Sequence, residues 1–280
     1  MQGRTTTGGF LRHITACNNA NLPGERVALR IGTAIVGWVK PDMAGALAGF
    51  PEIAAGPAGL TLSEPASLPK IARALADRGL HRWRGEAFDV RATAAGPVLA
   101  QIDRGALPAF GIAAEGVHVN GLVRRADGPW LWIARRAASK ALDPGKLDHI
   151  VAGGIPAGLD PFQTLIKEAA EEAAIPADLA GKAVPVGLLS YAMERAEGLR
   201  RDRLHCYDLE LPEDFQPRPS DGEVESFELW PVARAFAAVR DTDAFKFNVN
   251  LVLIDLFLRT GMIAGEDAIR LRAALDAGAG

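Results

Sequence analysis

The sequence predicts an α/β protein in two domains, a smaller mixed α+β unit over residues 1–112 and a larger one over residues 113–280. Three observations carry this reading. The chain has 280 residues and is 49% apolar, enough for two separate cores. Strand-like runs interleave with helically spaced runs from end to end. A hinge rather than a long linker falls near Ala113, where a new strand pattern begins.

Residues 8–19 have helical spacing, and residues 26–31 and 34–39 read as strands parted by Gly32-Thr33. Pro41 suits a first helical position and opens a helix to about Phe50. Residues 54–60, rich in Gly and Pro, read as a loop. An amphipathic helix over 68–78 stops at Gly79, strands over 88–92 and 98–102 pair across Ala95-Gly96-Pro97, and residues 104–109 offer one helical turn. This half holds no catalytic constellation and is expected to shape a substrate pocket or a dimer interface. In the second half, strands are predicted over 116–123, 130–134, 150–152, 184–192, 203–210 and 225–230, with a turn at Ala126-Asp127-Gly128-Pro129. Helices are predicted over 232–239, 248–259 and 265–276.

Chemistry concentrates between residues 153 and 175. Asp160 is a good N-cap, Pro161 fits the first helical position, and Phe162, Leu165, Ile166 and Ala169 give the helix an apolar side. Glu168, Glu171 and Glu172 then share one face. Like charges at this spacing cost about 0.2–0.5 kcal/mol per pair, and they sit beyond the first turn, out of reach of the favourable helix dipole. Lys167 offsets part of the charge. Three converging carboxylates with oxygen-only donors suit Mg²⁺ or Mn²⁺. A solvated acidic face is the ordinary alternative. Gly153, Gly154 and Gly158 weigh against it, because a loop without side chains lets backbone approach a bound phosphate.

In this register the segment resembles the signature of the Nudix hydrolase family: Gly, five residues, Glu, seven residues, then Arg-Glu-aliphatic-X-Glu-Glu-X-Gly-aliphatic. Gly153, Glu168, Glu171, Glu172 and Ile175 match it. Leu159 stands at the first Glu, Lys167 at the Arg and Ala174 at the second Gly. Ala174 predicts an ordinary right-handed conformation, so the helix is expected to run to about Pro176. The wording of residues 152–158 and 167–173 is similar to one subgroup, the Nudix region fused to thiamine pyrophosphokinase in fungi and its free-standing plant and bacterial relatives. Residues 116–121, 131–136, 144–148, 221–227 and 245–248 share the resemblance, which covers nearly the whole chain. It implies an α/β/α sandwich with a mixed sheet, and catalytic metal held by Glu168, Glu171 and Glu172. It also implies a carboxylate from a late loop, for which Glu223 is favoured over Glu225. The implied reaction is hydrolysis of thiamine diphosphate, or of an oxidised or damaged analogue, to the monophosphate and phosphate. The alternatives are a nucleoside diphosphate derivative such as ADP-ribose, or diphosphate binding without catalysis.

Other candidates follow from residue type. Gly153 and Gly154 are expected to line bound phosphate, and Arg135, Arg136, Lys140 and Lys146 to grip its oxygens. Tyr191, with Trp130 and Trp132, has the shape to stack on an aromatic ring, although core packing is the ordinary role of each. A loop over residues 194–203, carrying Arg195, Arg200, Arg201 and Arg203, is expected to fold over substrate. The five histidines are scattered without metal spacing, and His149 stands nearest the glycine loop. Cys17 and Cys206 lie far apart, as in a reducing compartment. A net charge of −3 argues against a nucleic-acid partner. No run reaches the roughly 18 apolar residues of a membrane span, and the first residues lack a secretory core. The expected partner is a small-molecule diphosphate, in the cytoplasm, with a homodimer left open.

Overall fold

The computed structural model describes residues 6–94 and 96–279, so Ala95 of the predicted turn lies outside the described residues. The chain runs through α1 (Thr6–Cys17), β1 (Val27–Ile31), β2 (Ala34–Val39), α2 (Pro41–Leu47), β3 (Ile53–Gly56) and β4 (Gly59–Leu62). These strands form a sheet in the order β2-β1-β4-β3, in which β1 and β4 are parallel. α3 (Leu68–Asp77), the hairpin of β5 (Ala87–Val90) and β6 (Ala100–Asp103), and α4 (Leu107–Phe110) complete this half. Leu29, Leu47, Leu62, Ile71, Leu75 and Ile102 lie at its core. Residues 54–60 are therefore not a loop. Gly59, at φ 109, takes the turn between β3 and β4, and a Cβ there would stand 2.4 Å from the Ala28 carbonyl oxygen. The glycines and proline mark a hairpin turn, and Leu60 and Leu62 alternate inward from its second strand.

β7 (Ala113–Arg125) opens the second sheet, followed by β8 (Gly128–Arg136), β9 (Leu147–His149), β10 (Val151–Gly154), α5 (Pro161–Ala173), α6 (Ala177–Ala180), β11 (Val184–Arg195), β12 (Gly198–Glu210), β13 (Val224–Pro231), α7 (Val232–Asp241), α8 (Val249–Arg259) and α9 (Gly265–Asp276). The strand order is β11-β12-β7-β8-β13, with β10 on β7 and β9 on β8. β12 runs parallel to β7 and the other pairs are antiparallel, so the sheet is mixed. Alternation sends Leu131 and Ile133 of β8 to one face and Trp132 to the other. The first face carries α7, α8 and α9, with the apolar side of α8 supplying Val252, Leu256 and Phe257. The second face packs on α5 through Leu165, Ala169 and Ala173. This is an α/β/α sandwich. Its first layer also includes α1, whose Phe10, Ile14 and Cys17 are buried in that core.

Two local expectations are corrected. Residues 194–203 are not a lid loop but the tip of the β11–β12 hairpin, with Arg195 paired to Gly198 in the ladder. The helix over the glutamates ends at Ala173, because Ala174 takes the left-handed conformation (φ 52, ψ 36) and closes the helix as a glycine would. The N–H of Ile175 then returns to the Ala169 carbonyl at 3.0 Å.

Candidate active site

α5 is fixed at its start by a capping box. Asp160 accepts the Gln163 N–H at 2.7 Å, and Gln163 accepts the Asp160 N–H at 3.1 Å. This phase turns Glu172 toward the sheet, where it is buried beside Ala169 and Ala173. Its carboxylate accepts the Ala152 N–H of β10 at 2.9 Å. Burial raises the Glu172 carboxyl well above the usual range, with the Ala152 bond opposing and Asp148 and Glu168 adding repulsion. Glu168 lies over Gly153, where a Cβ would stand 2.5 Å from its carboxyl carbon. Burial raises Glu168 as well, against the nearby Lys167. Glu171 is half-exposed and paired with Lys167 at 2.6 Å.

The three helix glutamates thus share one side of α5 at three depths. The carboxylate oxygens that come within 4.8 Å of one another belong instead to Glu172, Asp221 and Glu223. The Asp221 side chain also accepts the Glu223 N–H at 2.8 Å and so shapes the late loop. Glu223 was expected at the site and Asp221 was not, although the turn Asp221-Gly222-Glu223 carries both. Burial pushes the Glu223 carboxyl up, but the hydrogen bond and charge of Lys140, with Arg104 and Arg136, hold it below its ordinary value. These donors are all oxygens, one is buried with a single N–H partner, and lysines supply the local counter-charge. They fit a hard divalent cation such as Mg²⁺ or Mn²⁺, with Glu172, Asp221 and Glu223 as its nearest set and Glu168 and Glu171 at its side.

Glu168, Glu171, Asp221 and Glu223 line a cleft of about 1160 Å³ between the two halves of the chain. Gly153 and Gly154 form one side, and Arg82, Arg84, Phe88 and Arg104 of the first half face them. Arg195, Arg200 and Arg201 reach it from the β11–β12 hairpin. Arg82 and Arg84 make no ion pair among the described residues. Burial, followed by the charges of Arg82, Arg104 and Arg200, lowers the pKa of Arg84.

Several predicted contacts lie elsewhere. Arg136 borders the cleft, but its guanidinium is held by Asp148 at 2.8 Å and by the carbonyls of Leu142 and Asp143. Arg135, one residue earlier on the strand, bonds the Gly145 carbonyl and does not line the cleft. Lys146 is likewise outside it, bonded to the Asp243 carbonyl. Tyr191 is 2% exposed, bonds Asp202 and meets Phe247 edge-on, so it is a core residue and not a stacking platform. Trp132 is buried as well. Glu225 is exposed and absent from the cleft lining.

Beneath the carboxylates lies a buried histidine pair. The Nδ1 atoms of His118 and His149 are 3.0 Å apart, so one ring donates and the other accepts. Burial first depresses both imidazoles, His149 to about 4; His149 and Lys246 add to the effect on His118, Lys246 to that on His149, and Asp148 opposes both. Asp148 accepts from Arg136 and from the His149 N–H, and Lys246 lies 3.7 Å away. With Asp148, the two histidines bring three ligand-type atoms within 4.8 Å of one another, all of them buried.

Residues 114–249 match the family described as NUDIX domain, and residues 9–114 match one described as Domain of unknown function (DUF4743). Two Arabidopsis thaliana proteins, Nudix hydrolase 20, chloroplastic and Nudix hydrolase 24, chloroplastic, are similar along almost the whole chain. They are 38% and 37% identical over 93% and 95% of this chain, and over 75% and 76% of their own lengths. A Saccharomyces cerevisiae relative, Uncharacterized protein YJR142W, is 31% identical over 68% of this chain and 58% of its own. The plant names correct the expectation of a cytoplasmic location, since relatives this similar are chloroplast proteins. With its glycine loop, acidic helix and late-loop carboxylates in place, the chain belongs to the Nudix hydrolase family.

Proposed function

We propose that this hydrolase acts with Mg²⁺ or Mn²⁺ on thiamine diphosphate, and better on an oxidised analogue, releasing orthophosphate and leaving the monophosphate. Nudix hydrolases act on small diphosphates and use divalent metal ions, which leaves substrate identity as the finer question. Two observations support the reading. The glycine-loop and helix wording resembles that of the thiamine-linked subgroup. The cleft that the carboxylates line is also lined by Arg82 and Arg84, which make no ion pair among the described residues. Guanidinium groups there attract phosphate oxygens and repel a fixed positive charge. Oxidation of the thiazolium ring to a neutral form removes that repulsion.

In this proposal the diphosphate binds along Gly153 and Gly154, in the cleft that Lys140 and Lys167 also line. Glu223, at the cleft and held ionised by Lys140, accepts the proton of the attacking water. Glu172, oriented by the Ala152 N–H, fixes the inner end of the site. Divalent ions held by Glu172, Asp221 and Glu223 would neutralise the diphosphate and the charge developing on its bridging oxygen. The test is a substrate panel with Mg²⁺. Oxothiamine diphosphate is expected to exceed ADP-ribose in kcat/KM by at least about tenfold, or about 1.4 kcal/mol. If ADP-ribose is the better substrate, the thiamine assignment fails and the hydrolase remains.

A further inference from the structure

The first half of the chain touches the signature loop itself. The Ala157 N–H donates to the Ala87 carbonyl of β5 at 2.8 Å, which ties the loop to that strand by its backbone. One residue on, the Gly158 N–H faces the Asp89 carboxylate at 3.5 Å. Asp89 is itself held by Arg91 at 3.1 Å and by Gln101 at 3.3 Å. Between these contacts the Phe88 ring, 2% exposed, occupies the space a side chain on Gly154 would need. A Cβ on Gly154 would stand 2.6 Å from Phe88 Cζ. Leu159, where the family signature has a loop glutamate, offers no side-chain acceptor, and its N–H bonds the Pro156 carbonyl at 3.2 Å. The carboxylate that faces the Gly158 N–H comes from the first domain.

We infer that β5 of the first domain is a built-in brace for the hydrolytic loop, with Phe88 and Asp89 as positioning residues that take over the bracing Leu159 does not provide. This rests on the loop and α5 forming the hydrolytic site. It gives the N-terminal region a task in turnover, beyond shaping a pocket. It also gives Gly154 a second reason to lack a side chain: the ring that seats the loop fills that position.

The test is a complementary exchange in the full-length chain, assayed with Mg²⁺ on both oxothiamine diphosphate and ADP-ribose. Gly154→Ala should lower kcat by at least about tenfold with KM changed less than about threefold, because the methyl group drives the loop off Phe88. Phe88→Leu opens that space, so the double variant should recover to within about threefold of Phe88→Leu alone. A double variant no better than Gly154→Ala, or a Gly154→Ala enzyme with normal kcat, overturns the inference. The first result would leave phosphate approach as the whole reason for the glycine, and the second would remove that reason too. Amide exchange provides a readout independent of turnover. The Ala157 amide should exchange at least about tenfold faster in Phe88→Leu, and in the milder Phe88→Met if the leucine variant folds poorly. Unchanged exchange in a folded variant overturns the brace even if neither probe is hydrolysed, whereas faster exchange without hydrolysis upholds the brace and moves the failure to the substrate reading.

Discussion

Replacing Glu172 by Gln should raise stability and abolish turnover together. Gln keeps an acceptor for the Ala152 N–H and removes a charge from a site where the residue is 6% exposed. Burial raises the carboxyl in the folded chain, so its protonated form is the one the fold favours. The sign follows. Below the ordinary carboxyl range, near pH 4, the two proteins should be close in stability. As pH rises through the raised folded value, the wild type loses stability that the Gln variant retains. Each unit of upward shift is worth about 1.4 kcal/mol. Holding the group in this surrounding should cost on the order of 1–3 kcal/mol by about pH 8. Urea unfolding in EDTA at both pH values measures the gap, and added Mg²⁺ should narrow it by favouring the carboxylate. In the same variant, kcat with Mg²⁺ should fall by at least about 10²-fold. A Gln variant less stable than wild type at pH 8 would refute the burial argument, and turnover within about threefold would remove Glu172 from the chemistry.

Further outcomes test the surroundings of the site. His149, depressed from 6.5 to about 4, contributes stability that is present above pH 6.5 and lost as pH falls toward 4. His149→Asn keeps a polar group toward His118 and should remove about 2–3 kcal/mol of the wild type's loss between pH 7 and 4.5 in urea titrations. An identical pH slope in the two proteins would mean that His149 is not buried neutral. Ala174→Gly relieves a left-handed alanine and, after the added freedom of the unfolded chain, should stabilise by about 0.5–1 kcal/mol with kcat unchanged. A lower melting temperature in that variant would show that Ala174 is not strained.

Elements with strong local signals were legible. α9 spans the residues that its periodicity and Gly265 predict, and β2 runs from Ala34 to Val39 as read. The capping pair Asp160 and Pro161 fixed the phase of α5 and so the inward turn of Glu172. What escaped depends on partners distant in sequence. In residues 54–60 two glycines and a proline among alanines hide any strand pattern, and the pairing becomes visible once β4 meets β1. Nothing in residues 6–17 says that they pack on α7, α8 and α9. Tyr191 and Arg136 were plausible ligands by type, yet Asp202 and Asp148 claim them in the fold. Asp221 enters the carboxylate set because the late loop returns to α5, a closure no spacing encodes. The contact of β5 with the glycine loop is likewise invisible until the two domains are side by side.

The most direct test of the central claim is the position of the cut. Oxothiamine diphosphate is hydrolysed with Mg²⁺ in ¹⁸O-water, and both products are analysed by mass spectrometry. Attack at the terminal phosphorus places the label in orthophosphate and leaves the monophosphate unlabelled, which is the result expected here. Label in the monophosphate would reverse the site of attack, and no labelled product with this substrate would contradict the assignment.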